Sequence, residues 1–190
     1  LNCLSLIEFI LVGNNLVIES SAFYDDKYLK NVTFGAGIKS IGANAFYNCL
    51  SISELNFFDG LDRIYSDAFR NCKSISLVTL PNTLSSIGNS AFYNCERITS
   101  VHIPDKVPEI QGGCFTNCHL LKKVTIGSGC TSISPTAFTG ANSIEEIIVE
   151  EDNKKYTSVD GVLYNNDKTT LVLYPKGRRG NFTIPDAVTT

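Results

Sequence analysis

The sequence predicts a mainly β solenoid built from 23-residue coils, and three sets of residues in register predict it. Phe23, Phe46, Phe69, Phe92, Phe115 and Phe138 recur at intervals of 23 positions. A small residue precedes each one: Ala22, Ala45, Ala68, Ala91, Cys114 and Ala137. Five positions before each Phe stands an isoleucine: Ile18, Ile41, Ile64, Ile87, Ile110 and Ile133. Chance does not put three such columns in one register.

The rest of the unit follows the same spacing. One apolar column is Leu6, Leu29, Ile52, Ile75, Ile98, Leu121 and Ile144. Three residues on comes Phe9, Val32, Leu55, Val78, Val101, Val124 and Ile147, and two further on Leu11, Phe34, Phe57, Leu80, Ile103, Ile126 and Val149. The apolar-x-apolar pair has the period of a strand. Asp59-Gly60, Pro81-Asn82 and Pro104-Asp105 follow it directly and supply a turn. A fourth column, Ile38, Leu61, Leu84, Val107 and Cys130, opens the second half of the coil. That half is too short for a long helix with two loops. It predicts a second brief extended segment at the Ile column and a tight or 3₁₀-like turn at Ala-Phe-xx-Cys. Such a unit cannot bury its apolar face alone, so coils must stack. Parallel strands need a crossover, which each coil supplies, and the strands are expected to form one continuous parallel sheet.

Composition narrows the function. A hydrophobic content of 43% and a charged content of 18% are those of a folded chain. A net charge of −3 gives no polybasic field, so neither nucleic acid nor an anionic membrane is an expected partner. No apolar run approaches the roughly 18 residues that span a bilayer, so no membrane insertion is expected. Leu1-Asn2-Cys3 carries neither an initiator Met nor a signal-peptide layout.

The unit resembles the BspA-like, or Treponema pallidum-type, leucine-rich repeats. Ile75-xx-Val78-x-Leu80-Pro81-xx-Leu84-xx-Ile87-Gly88-xx-Ala91-Phe92-xx-Cys95 follows that family's pattern column by column. Asp26 and Ala141 depart from it in place of Cys, and Cys114 in place of Ala. The resemblance implies a right-handed leucine-rich-repeat solenoid, with repeats over about 2–155. It also implies a β-hairpin insert over about 156–175, because "YTSVDGVLYNNDKTTLVLYP" is similar to a hairpin seen in the family. Its strands would be Gly161–Tyr164 and Thr170–Tyr174, joined through Asn165 to Lys168. Residues 176–190 would begin a further, truncated repeat at Phe182 to Val188. All of 1–190 would then be a single solenoid excerpted from a longer array, associating end to end through a terminal coil. The family implies a secreted or cell-surface location, with roles in adhesion and host contact.

The seven cysteines fit the repeat. Cys3, Cys49, Cys72, Cys95 and Cys118 share one column, while Cys114 and Cys130 occupy an Ala and an apolar column. All are expected to face inward as a ladder of buried thiols behaving as small hydrophobes. The alternatives are structural disulfides and a zinc half-site at Cys114-xxx-Cys118-His119, although structural zinc needs four ligands and the only histidines are His102 and His119. No Ser or Cys lies beside an activating base, and nothing resembles a phosphate loop. The sequence predicts no catalytic residue, no metal site, no cofactor and no enzyme. Asn48, Asn71, Asn94 and Asn117 form a further column, read either as a stack bonding the backbone of the next coil or as residues suited to the turn.

Surface is what remains for function. Outward strand positions supply the candidate face: Glu54, Asn56, Thr79, His102, Lys123, Thr125, Glu146 and Ile148. Register would set Lys122 beside Glu145 and Lys123 beside Glu146. An alternative stripe follows the Ala-Phe pairs: Tyr24, Tyr47, Arg70 and Tyr93. The expected function is a protein- or glycan-binding module whose ligands are host extracellular-matrix or cell-surface molecules. The alternative is an architectural stalk presenting another domain. The strand face varies from Ile10 to His102 to Ile148, which favours binding over a stalk.

Overall fold

The computed structural model describes residues 8–11 and 13–189. Cys3 and Leu6, placed in core columns from the sequence, lie outside the described residues, as does the Phe9 side chain. Strands β1 to β13 alternate between two parallel ladders, numbered in chain order. The first ladder holds β1 (Glu8–Leu11), β3 (Asn31–Phe34), β5 (Glu54–Asn56), β7 (Leu77–Thr79), β9 (Ser100–Ile103), β11 (Lys123–Ile126) and β13 (Glu146–Val149). The second holds β2 (Leu16–Ile18), β4 (Ile38–Ile41), β6 (Arg63–Ile64), β8 (Ser86–Ile87), β10 (Glu109–Ile110) and β12 (Ser132–Ile133). Both keep the 23-residue register, pairing Val101 with Val124 and Ile147, and Ile41 with Ile64 and Ile87. No helix occurs among the described residues. The predicted solenoid, with its second short strand in each coil, is what the chain forms.

The core is a set of stacked columns. Phe46, Phe69, Phe92 and Phe115 are fully buried, with neighbouring rings 5.2–5.5 Å apart and within 7° of parallel. Phe23 and Phe138 extend the stack at its two ends. Ala45, Ala68, Ala91 and Ala137 in the neighbouring column are fully buried, which leaves no room for a larger side chain, whereas Ala22 is exposed. The Ala-Phe turn departs from the 3₁₀ expectation. Its i→i+3 bonds are present, as in Tyr47 N–H to Asn44 O and Cys49 N–H to Phe46 O. Two left-handed residues per coil interrupt them: Asn44, Asp67, Ser90 and Gly113 at one position, and Asn48, Asn71, Asn94 and Asn117 four residues later. Asn and Asp tolerate that conformation better than other side chains, so two turns replace one short helix. Those turns face the next coil, and Phe46, Phe69 and Phe92 each donate N–H to a carbonyl there.

The expected continuous sheet is interrupted. The first ladder parts between β3 and β5 and again between β7 and β9, and the second between β8 and β10. Two of the three gaps fall at one seam, where two prolines lack donors that other coils use, although Pro81, at the repeat position of Pro104, does not part β5 from β7. Gly127 N–H bonds Ile103 O at 2.9 Å and Ser85 N–H bonds Asp62 O at 2.8 Å, each closing a coil onto the one before. Pro104 and Pro108 occupy those two positions in the coil between, and neither has an N–H to give. The seam is therefore held by the turn bonds and the Phe92–Phe115 stack.

The tail forms more than the expected hairpin. β14 (Tyr156–Val159), β15 (Val162–Asn165) and β16 (Leu171–Leu173) make a three-stranded antiparallel sheet. Its first turn is Asp160-Gly161, both at positive φ, which is the Asp-Gly signature of a tight hairpin turn. Asn153 starts the change of direction. It is buried where the repeat has Cys130, and its amide donates to Gly127 O and Cys130 O, both at 2.9 Å. Its oxygen accepts from the N–H groups of Lys155 and Tyr156. Ile147 N–H then bonds Gly161 O, which lays the new sheet against β13. The stretch Phe182 to Val188, expected to restart the unit, contains no strand.

Candidate binding face

The outward residues of the first ladder come together as the sequence predicts. Glu54 pairs with Leu77, and Ser100 with Lys123 and Glu146. Asn56 pairs with Thr79, and His102 with Thr125 and Ile148. Glu54, Asn56, Thr79, His102 and Lys123 are exposed, and Thr125, Glu146 and Ile148 half-buried. Thr79 donates its hydroxyl to Asn56 Oδ1 at 3.4 Å. Lys122 meets Glu145 and Lys123 meets Glu146, each at 3.3 Å. Pairs this exposed contribute only about 0–1 kcal/mol, so they set the pattern of charge on the face more than its stability. The ladder gaps divide the face into segments.

The Tyr and Arg residues form two stacked pairs. Tyr24 and Tyr47 lie 4.9 Å apart and 5° from parallel. The Arg70 guanidinium sits 4.1 Å over the Tyr93 ring and pairs with Asp67 at 3.0 Å. One face of each of these rings is taken up by its neighbour and is not offered to a ligand. Beneath it, the Asn48, Asn71, Asn94 and Asn117 amides each donate to the residue one coil back, at 2.8–3.2 Å. The column suits the turn, as expected, but its side-chain bonds run to side chains one coil back and not to the backbone of the next coil.

The thiols line the same turns from inside. Cys49, Cys72, Cys95 and Cys118 donate to the carbonyls of Phe23, Phe46, Phe69 and Phe92 at 3.0–3.4 Å. Burial pushes the Cys49 and Cys118 thiols up to about 12, and raises Cys72, Cys95, Cys114 and Cys130 as well. A neutral thiol is a poor nucleophile and a poor metal ligand. Two exposed carboxylates are shifted the other way. Ser128 N–H bonds Asp105 at 2.7 Å and lowers it, and the Ser85 hydroxyl lowers Asp62. Both serve turns. Among the described residues no cluster of His, Cys, Asp or Glu is placed to hold a metal.

Two features escaped the sequence. A polar slot opens where β3 and β5 part, lined by Lys30, Asn31, Thr33 and Ser53 beside Glu54 and Asn56. An apolar cleft of about 330 Å³ lies between Ile133, Phe138 and the tail residues Val172 and Leu173. The Asp160-Gly161 pair was a legible sign of the extra turn behind the cleft, whereas no residue signal marks the slot.

This arrangement defines a β-solenoid repeat protein with a laddered outer face. Six copies of the BspA type leucine-rich repeat region match residues 1–87 and 62–172, and the chain belongs to that family. It is similar to the T. pallidum leucine-rich repeat protein, at 28% identity and a TM-score of 0.72, covering 76% of this chain and 71% of that one. It is also similar to a leucine rich cell surface protein of Faecalibacterium prausnitzii, at 26% identity and a TM-score of 0.66, covering 90% and 53%. The pneumococcal vaccine antigen PcpA shares the fold at 24% identity and a TM-score of 0.79, covering 97% and 51%. The chain thus spans about half the length of the last two. No curated protein matches the sequence.

Proposed function

We propose that this chain is a non-enzymatic binding module that contacts protein or glycan ligands through its first-ladder face. Its expected place is the cell surface or the secreted fraction, and its expected partners are host extracellular-matrix or cell-surface molecules. The observation that carries the reading is the register itself. In one segment it aligns Glu54 and Asn56 with the strand that carries Thr79, and in the next His102 with Thr125 beside Lys123, on the outer side of the coils while their neighbours fill the core. Extended repeat faces bind through many weak contacts and need no deep pocket. The location draws support from the F. prausnitzii relative, which is a cell surface protein.

The test is capture of ligand from matrix and cell-surface extracts by the whole chain and by face variants. Lys123→Glu, Glu146→Lys, Thr79→Arg and Thr125→Arg should each reduce capture with the thermal midpoint unchanged. Capture that survives all four but falls with Tyr47→Ala would move the site to the Tyr–Arg stripe. A chain that captures nothing would favour the stalk.

A further inference from the structure

Two of the three ladder gaps fall beside Pro104 and Pro108, but no proline stands beside the gap between β3 and β5. Ser53 N–H makes no bond to Lys30 O there, although Ser76 N–H reaches Ser53 O and Lys122 N–H reaches Thr99 O at the equivalent places. The parted strands leave a slot of about 370 Å³ walled by Lys30, Asn31, Thr33, Ser53, Glu54 and Asn56.

We propose that this slot is a saccharide-binding subsite of the strand face. The proposal rests on the reading of that face as a ligand surface and names the ligand class. The walls mix donors and acceptors at short range. Ser53 N–H, the Lys30 ammonium and the Asn31 and Asn56 amides donate, while Lys30 O, the Glu54 carboxylate and the Thr33 hydroxyl accept. Asn56 takes Thr79 on its oxygen, which leaves its NH₂ for the slot. A sugar hydroxyl gives and accepts at once, so neighbouring hydroxyls can use both kinds of wall. A simple anion meets Glu54 and a simple cation meets Lys30, so neither fits alone. A protein hot spot needs an aromatic or apolar anchor, and the one apolar residue of the lining, Val32, is buried. The volume lies in the usual range for small-ligand clefts, roughly 300–1,000 Å³.

The test is a titration of the ¹⁵N-labelled whole chain, produced in a host without N-glycosylation because Asn31-Val32-Thr33 is a sequon. Glucose, galactose, mannose and N-acetylglucosamine are each added to about 50 mM, a range that detects millimolar affinity. At least one should shift the Asn31, Ser53 and Glu54 amides saturably. Glu54→Gln and Lys30→Gln should weaken it by about 10-fold, and Lys154→Gln should not. No shift with any sugar, equal shifts along β9 and β11, or full affinity in both slot variants would overturn the proposal. If no sugar titrates while Lys123→Glu and Thr79→Arg still abolish capture, the slot fails and the face stands. If a sugar titrates while those variants change nothing, the slot stands and the face fails.

Discussion

Asn71 donates its side-chain amide to Asn48 Oδ1 at 2.8 Å, joining two left-handed residues one coil apart. One residue type thus does two jobs, holding the turn and tying it to its neighbour. Asn71→Gly should keep the turn and lose the tie, whereas Asn71→Ala should lose both. Chemical denaturation should show a loss of about 1–3 kcal/mol for Ala, with Gly the milder of the two. Equal losses would mean that conformation contributes nothing.

Phe69 and Phe92 each have a parallel ring on both sides. Phe→Ala at either site opens a cavity that two coil interfaces share. The expected cost is about 3–5 kcal/mol, read from the denaturant midpoint. The same change at Phe138, which has a neighbour on one side only, should cost distinctly less.

The thiols predict a one-sided response to pH. Their folded values are raised, with Cys49 and Cys118 near about 12. The stabilisation is therefore complete below the unfolded thiol value of about 8.5 and is lost as pH rises toward the folded value. Stability should fall above about pH 9, by up to about 1.4 kcal/mol per pH unit for each thiol. Urea melts from pH 7 to 10.5 would check the slope, and Cys72→Ala with Cys95→Ala should flatten it. Native protein at neutral pH should resist thiol labelling at all six described cysteines.

Pro104→Ala and Pro108→Ala each restore an N–H where the ladders part. The new amides should bond Leu80 O and Ser85 O and exchange slowly with deuterium. Rapid exchange at both positions would show that something other than the missing donor parts the coils.

Much of this was legible in the sequence because a 23-residue period fixes the register, and register fixes which side chains face inward. The Phe, Ile and Cys columns, the strand face and the Lys123–Glu146 pair all follow from counting. What counting misses is whatever one coil does differently from its neighbours. Pro104 was visible as a turn residue, but its effect on the ladder was not, since Pro81 stands at the same place without parting β5 from β7. Asn153 breaks the Val107–Cys130 column by a single residue, yet its four hydrogen bonds turn the chain into a new sheet. The slot at Lys30 and Ser53 arises from a bond that does not form, and no residue type announces it.

The seam between β7–β8 and β9–β10 also has a mechanical meaning. A solenoid pulled along its axis shares the tension among the bonds that cross each coil boundary. Both strand ladders are interrupted at this boundary, and the turn bonds and core stacking remain to resist separation. The elastic modulus along the rod is therefore not uniform. Extension and bending should concentrate there, and a force ramp should rupture the rod at this boundary before its neighbours. The segments on either side would come apart as intact stacks, each keeping its own phenylalanine column.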